Sequence, residues 1–283
     1  MRKADGFNQE RTFGVEVEFF NTTPQAVVDA IQAKGIDAYF AGYTHETSRQ
    51  WKVVTDASVT SRGTGMGRGL ELVSPILRGT EGLEELRIVL EALNETSAEV
   101  DRSCGVHVHH DADDFDIKAF TNLYGIYSRF EGSIDELFPL SRRDDRNTYC
   151  RSIKDKTHLD AFAECNTLAD LADYLEGRTY DSYRYYKLNI ASYRRHGTVE
   201  FRQHSGSTDY EKISSWIVLS QAMVEKAVNS RVAMKQGADD WFNFKKVIRG
   251  YKWMGADELT VDAIKFFNKR RRELAKKFDL ELA

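Results

Sequence analysis

Apolar and polar residues alternate with a period of two in several short runs of this chain, and elsewhere the apolar positions recur every three to four residues. The first pattern predicts half-buried strands, the second amphipathic helices. Strands are expected in RTFGVEVEFF from Arg11, WKVVTDASV from Trp51, GLELVSPIL from Gly69, CGVHVHH from Cys104, YKLNIAS from Tyr186 and GTVEFRQH from Gly197. Helices are expected over 24–34, stopped by Gly35, over 81–94 with Leu83, Leu86, Leu90 and Leu93 on one side, and around 117–130 and 168–175. The final third reads as helical over 211–228, 241–248 and 261–278. Thr22, Thr23 and Pro24 mark a helix start. Residues 193–196 have the length and polarity of a hairpin loop between the last two strands.

Three prolines and no linker-like or repeated tract predict one catalytic domain over 1–283, with the chemistry-bearing motifs in 12–215 and a helical part over 211–283. The fold class expected is α+β, an antiparallel sheet backed by helices on one face.

Inside three of the strands the alternation carries chemistry. Glu16 and Glu18, His107 and His109, and Glu200 and Arg202 each stand two positions apart, with valines and phenylalanines between and beside them. Successive side chains of a strand point to opposite faces, so each pair projects from one side above an apolar floor. Two carboxylates at i and i+2 lie roughly 7 Å apart and repel by about 2 kcal/mol at an effective dielectric near 20. A bound cation relieves that cost.

Composition narrows the reading. The chain has 283 residues, 41% hydrophobic and 30% charged, enough for a well-buried core. Its net charge of −4 and pI near 6.0 give no global attraction to nucleic acid or an anionic membrane. Cys104, Cys150 and Cys165 are widely spaced, with no Cys-x-x-Cys, so neither a disulfide framework nor a zinc knot is indicated. The start, MRKADGFNQE, lacks the apolar core of a signal peptide, and no run approaches a membrane span, so a cytoplasmic location is expected.

Glu16, Glu18, Glu71 and Glu200, with one or both of His107 and His109, form an oxygen-rich donor set. Mg²⁺ or Mn²⁺ prefers oxygen, whereas zinc favours more histidine or cysteine. Arg202 adds a planar cation suited to phosphate oxygens. Together these point to a metal–nucleotide site and phosphoryl transfer.

At this point six motifs carry a resemblance over most of the chain up to about Trp216: GVEVEF at Gly14, TDAS at Thr55, GLELVSP at Gly69, CGVHVHHD at Cys104, KLNIAS at Lys187 and TVEFRQHSGS at Thr198. Their order resembles that of the amidoligase family, a branch of the carboxylate-amine ligases that includes glutamine synthetase and glutamate-cysteine ligase. The resemblance implies a curved, glutamine synthetase-like antiparallel sheet, helices on its convex face, with Mg-ATP on the concave face. It also implies an ATP-dependent ligase that phosphorylates a carboxylate and lets an amine displace the phosphate. Carried over by position, Glu16, His107 and Glu200 resemble the ligands of one metal, and Glu18 and Glu71 those of a second. Arg202 resembles the arginine that stabilises the transferring γ-phosphoryl group. A further acidic ligand of the family has no counterpart before Glu71, and Asp56 is the nearest substitute as well as a candidate general base. His109, Lys187 and Asn189 are candidate nucleotide or substrate contacts. The partners implied are a carboxylate and an amine, a peptide or protein among the options.

Alternatives stay open on the residues themselves. His107 and His109, followed by His110, also suit zinc or iron in a metal-dependent hydrolase. A small-molecule kinase on the same fold would stop after phosphoryl transfer. SRGTGMGRG from Ser61 lacks the Gly-Lys-Ser/Thr end of a P-loop and reads as a loop over the acceptor. Arg142, Arg143, Arg146 and Arg151 suit either an acidic substrate or a solvated loop, and KRRRELAKK from Lys269 reads as the solvent face of a terminal helix.

Overall fold

The sheet begins with β1 (Thr12–Phe19), where Phe13, Val15, Val17 and Phe19 are all buried and the residues between them face the other way. A computed structural model describes residues 7–44, 46, 48–60, 69–154, 162, 164–177, 184–230, 237–249 and 258–282. Residues 61–68, most of the glycine-rich stretch, lie outside that set. The strands are β1, β2 (Ala38–Gly42), β3 (Trp51–Asp56), β4 (Gly69–Val73), β5 (Leu77–Arg78), β6 (Gly105–Asp111), β7 (Leu188–Asn189) and β8 (Thr198–Ser205). They form one open sheet in the order β2-β3-β4-β1-β6-β8-β7, with β5 paired to β1. Pairing is antiparallel at β1/β4, β1/β5, β3/β4 and β7/β8 and parallel at β2/β3. The fold is α+β, as the alternation predicts. The parallel β2/β3 pair departs from a uniformly antiparallel sheet.

The residues group into two compact units. One comprises 9–109 and 204–214, the other 1–8, 110–203 and 215–283; strands β6 and β8 contribute residues to both.

In the first unit, α1 (Pro24–Ala33) starts where predicted: Thr23 accepts a hydrogen bond from the Ala26 N–H and proline occupies the first turn. Helix α2 (Gly79–Asn94) buries Leu83, Leu86, Leu90 and Leu93. Val27, Val28 and Ile31 of α1 are buried with them, as are Trp51, Val53, Leu70, Leu72, Val106 and Val108 from the strands. Trp51 completes its burial by donating its indole N–H to Glu85 Oε1 at 2.7 Å, which satisfies its one polar atom.

In the second unit, α3 (Ile117–Asp135) is capped by Asp116, which accepts from the Ala119 N–H at 2.7 Å. Helix α4 (Leu168–Gly177) follows. Instead of a hairpin loop, α5 (Ser192–His196) joins β7 to β8, and Gly197 closes it at φ +66°. Only glycine takes that left-handed backbone without penalty. The antiparallel pairing survives the change, with Leu188 opposite Phe201 and Asn189 opposite Glu200. Three long helices complete the chain: α6 (Tyr210–Asn229), α7 (Trp241–Arg249) and α8 (Glu258–Phe278). Trp216 of α6 packs edge-on against Phe138, Phe201 and Phe267, with ring centroids 4.9, 6.0 and 6.3 Å away. Among the described residues no helix is long and apolar enough to cross a membrane.

Candidate active site

Strand register puts the acidic residues of the first unit on one face. Glu18 stands directly opposite Glu71 in the β1/β4 pair, and Glu16 opposite Val73. In the β3/β4 pair Val54 faces Glu71, and Asp56 faces Gly69. Residues at even spacing share a face, so Glu16, Glu18, Glu71 and Asp56 project together, and His107 and His109 share a side of β6. Like charges directly opposite on neighbouring strands are destabilising. Lys52 shares that face of β3, but its ammonium is committed to the Glu46 carbonyl.

The side chains converge accordingly. Ligand atoms of Glu16, Glu71 and His107 lie within 4.8 Å of one another, and so do those of Glu18, Asp56 and Glu71. Glu71 thus belongs to both groups. His107 Nδ1 lies 3.0 Å from Glu16 Oε2, and its Nε2 lies 3.6 Å from Glu18 Oε1. The Gly105 N–H donates to Glu18 Oε2 at 2.6 Å, which fixes one oxygen of that carboxylate. Asp56 Oδ1 accepts from both the N–H and the hydroxyl of Ser58 at 2.7 Å. His109 Nε2 stands 3.6 Å from Glu16 Oε1.

Gly69 lets the strands close around Asp56. A Cβ built there would lie 2.2 Å from Val59 Cβ and 2.6 Å from the Asp56 carbonyl oxygen. The donor set, four carboxylates and an imidazole, fits hard divalent cations such as Mg²⁺ or Mn²⁺, with Glu71 available to both.

The second unit holds the remaining candidates. Glu200 and Arg202 are buried and paired: a guanidinium N–H meets Glu200 Oε1, while Asn189 Nδ2 donates to Glu200 Oε2 at 2.6 Å. Arg202 Nε also donates to the Tyr149 carbonyl at 3.2 Å, and the guanidinium carbon lies 6.0 Å from the centre of the Tyr185 ring. Lys187 is wholly buried, and its ammonium contacts Glu131 Oε1 at 2.8 Å and Asp135 Oδ1 at 2.6 Å, both from α3. Glu131 Oε2 also accepts the N–H groups of Ile153 and Lys154, and Gln203 bridges Asp135 to the Tyr127 hydroxyl. Burial works to depress the Lys187 ammonium, and the two carboxylates outweigh it and raise its pKa. Burial also pushes the Asp135 carboxyl up against the pull of Lys187. With two acids within 2.8 Å of one ammonium, we take Lys187 as the charged member throughout the neutral range.

The structure therefore brings Glu16, Glu18, Asp56, Glu71, His107 and His109 together in one unit and Asn189, Glu200 and Arg202 together in the other. The ammonium of Lys187 lies instead against Glu131 and Asp135 of α3. Glu131 and Asp135 escaped sequence reading. Their one signal was two acids four residues apart on an otherwise apolar side of a helix. The arginines of the 141–154 loop do not pool their charge: Arg142 is buried, Arg143 bonds the Phe138 carbonyl, Arg146 meets Asp144, and Arg151 covers the Tyr186 ring.

Three solved structures align with most of this chain at low identity. A bifunctional glutathione synthetase from Pasteurella multocida aligns at 10% identity and TM-score 0.43, covering 96% of this chain and 46% of that one. The complex of the prokaryotic ubiquitin-like protein Pup with its ligase PafA aligns at 9% and 0.42, covering 97% and 66%. Glutamate–cysteine ligase from Francisella tularensis, in complex with AMP, aligns at 10% and 0.41, covering 96% and 80%. The chain thus spans less than half of the first of these and about two thirds of the second. No curated protein sequence matches it. A family model described as "Putative amidoligase enzyme" matches residues 9–224, about three quarters of the sequence and every motif quoted above. The chain belongs to the amidoligase family.

Proposed function

We propose that the chain is an ATP- and Mg²⁺-dependent ligase that joins a carboxylate to an amine through an acyl phosphate. The observation that carries this reading is Glu71, placed opposite Glu18 and belonging to two three-residue groups, with His107 and Glu16 in one and Glu18 and Asp56 in the other. Two divalent ions sharing a carboxylate would neutralise a triphosphate and turn the repulsion between Glu18 and Glu71 into ligation.

In the first step an oxygen of the acceptor carboxylate attacks the γ-phosphorus and the bond to ADP breaks. In the second the amine attacks the acyl carbon, inorganic phosphate leaves, and a proton is lost from nitrogen. Arg202 is assigned the charge on the transferring phosphoryl group and Glu200 a metal, both by motif position. Asn189 holds Glu200 in place. His109 is assigned a nucleotide or substrate contact. Asp56 is assigned to the second metal rather than to base catalysis, because it groups with Glu18 and Glu71. Lys187 is assigned a positioning role.

The test is incubation with ATP, Mg²⁺, hydroxylamine and a panel of carboxylates, reading ADP and hydroxamate. Metal-dependent formation of both, lost in Glu71→Gln, is the expected result. Stable phosphorylated product without hydroxamate would select the kinase reading, and tightly held zinc with no ATP turnover the hydrolase.

A further inference from the structure

Helices α7 and α8 border an open cavity of about 530 Å³, lined by Lys245, Lys265, Asn268, Lys269, Arg272 and Glu273. Five of these come from one stripe of α8 at spacings of three and four, while Ile264, Phe267 and Leu274 on its other side are buried. Lys245 joins them from α7. Two helices thus place four cations and one acid around one shared open space.

Lys245 lies 5.7 Å from the centre of the Trp241 ring, and two of the other cations have ion-pair partners that compensate weakly. Lys269 is 3.9 Å from Glu273 and Lys265 is 2.9 Å from Asp262, but these side chains are all more than half exposed, where ion pairs contribute little. Arg272 has no ion-pair partner among the described residues. Asn268 Oδ1 accepts from the Trp241 indole N–H at 2.6 Å, and its amide N–H groups are donors it can offer an anion. Apart from Glu273 and the Asn268 carbonyl oxygen, the charged and polar groups of the lining are donors.

We propose that this cavity binds an oligophosphate, a chain of linked phosphates either free or carried by a nucleoside. Its volume lies within the range of small-molecule sites. From Lys265 to Arg272 the stripe runs about 10 Å along the helix axis, so a linear polyanion reaches both ends and a compact one does not. A guanidinium and three ammonium groups suit non-bridging phosphate oxygens.

The experiment is calorimetric titration of the intact protein with inorganic tripolyphosphate in EDTA, so that divalent ions play no part. Binding is expected, weakening as KCl is raised. The double variant Lys269→Gln/Arg272→Gln should weaken it about tenfold or more, while Glu71→Gln binds as the wild type does, which separates this site from the ligase reading. Both substituted side chains are exposed, and an unchanged circular dichroism spectrum and melting point would show the fold intact. Metal-free ATP added in a parallel titration distinguishes the two sources: equal affinity assigns recognition to the phosphate chain of a nucleotide, and weaker binding assigns it to free oligophosphate. Equal affinity in the double variant, citrate binding as tightly as tripolyphosphate, or no heat of binding at low salt would overturn the proposal.

Discussion

Two regions of this molecule gather carboxylates, and they do so in opposite ways. In the second unit Glu131 and Asp135 close on the ammonium of Lys187, with two backbone N–H groups on the other Glu131 oxygen and Gln203, held by the Tyr127 hydroxyl, sharing the Asp135 oxygen that Lys187 contacts. In the first unit Glu18 is set against Glu71, with Asp56, Glu16 and His107 around them. The first arrangement brings its own counter-charge and serves the fold. The second assembles acids at a register where they oppose one another, a cost that the proposed divalent ions would relieve.

The sharpest way to break this contrast is to remove the internal cation. Lys187→Met should destabilise the protein by about 3–5 kcal/mol, because two buried carboxylates lose their partner; an unchanged urea midpoint would mean that Glu131 and Asp135 are satisfied otherwise. Glu71→Gln tests the other side. It should lower ligase turnover by about a hundredfold or more, and in EDTA it should raise the melting temperature by a few degrees, as about 1–2 kcal/mol of repulsion disappears. A fall in both activity and metal-free stability would assign Glu71 to the fold.

A smaller effect should follow from the ion itself. Saturating Mg²⁺ or Mn²⁺ at about ten times the dissociation constant should add about 1.4 kcal/mol to wild-type stability, and much less to Glu71→Gln. Equal gains in both proteins would place the binding elsewhere.

How much of this was legible depends on which atoms had to meet. The acidic and histidine pairs of β1 and β6 follow from alternation, because a strand's geometry makes i and i+2 neighbours whatever else the chain does. The juxtaposition of Glu18 with Glu71 needed the β1/β4 register, which no local pattern supplies. Strand β2 was missed because its residues Tyr39 and Phe40 are exposed at the sheet's end, so no alternation marks them. The link over 192–196 curled into a helical turn because Gly197 takes a left-handed backbone that ends a helix as readily as it closes a hairpin. The partners that Lys187 has in the fold, Glu131 and Asp135, lie more than fifty residues away on a helix, so no local pattern could mark them.

The smallest effect concerns pH. Lys187 has a raised pKa in the fold, so the stability it contributes is present below its ordinary value of 10.5 and is lost as pH rises through the folded one. Burial pushes the Cys104 thiol up to about 11 from 9.0, which likewise removes stability as pH climbs between those values. Urea midpoints should therefore hold steady from pH 7 to pH 9 as far as these two groups are concerned, then decline. Cys104→Ala should delay the onset of the decline, and Lys187→Met should blunt its later part. A steeper fall in either variant would reverse the assigned sign.

The bare backbone at Gly69 has an implication for how this site can be lost. Because a single methyl group there would collide with Val59 and with the main chain of Asp56, an alanine would work as a shim, prising apart the two strands that carry Asp56 and Gly69. The acids and the histidine would all still be present in such a protein, and inspection of its sequence would find every reactive group in its usual order. What would be missing is the depth at which one oxygen sits, a property stored in the absence of an atom.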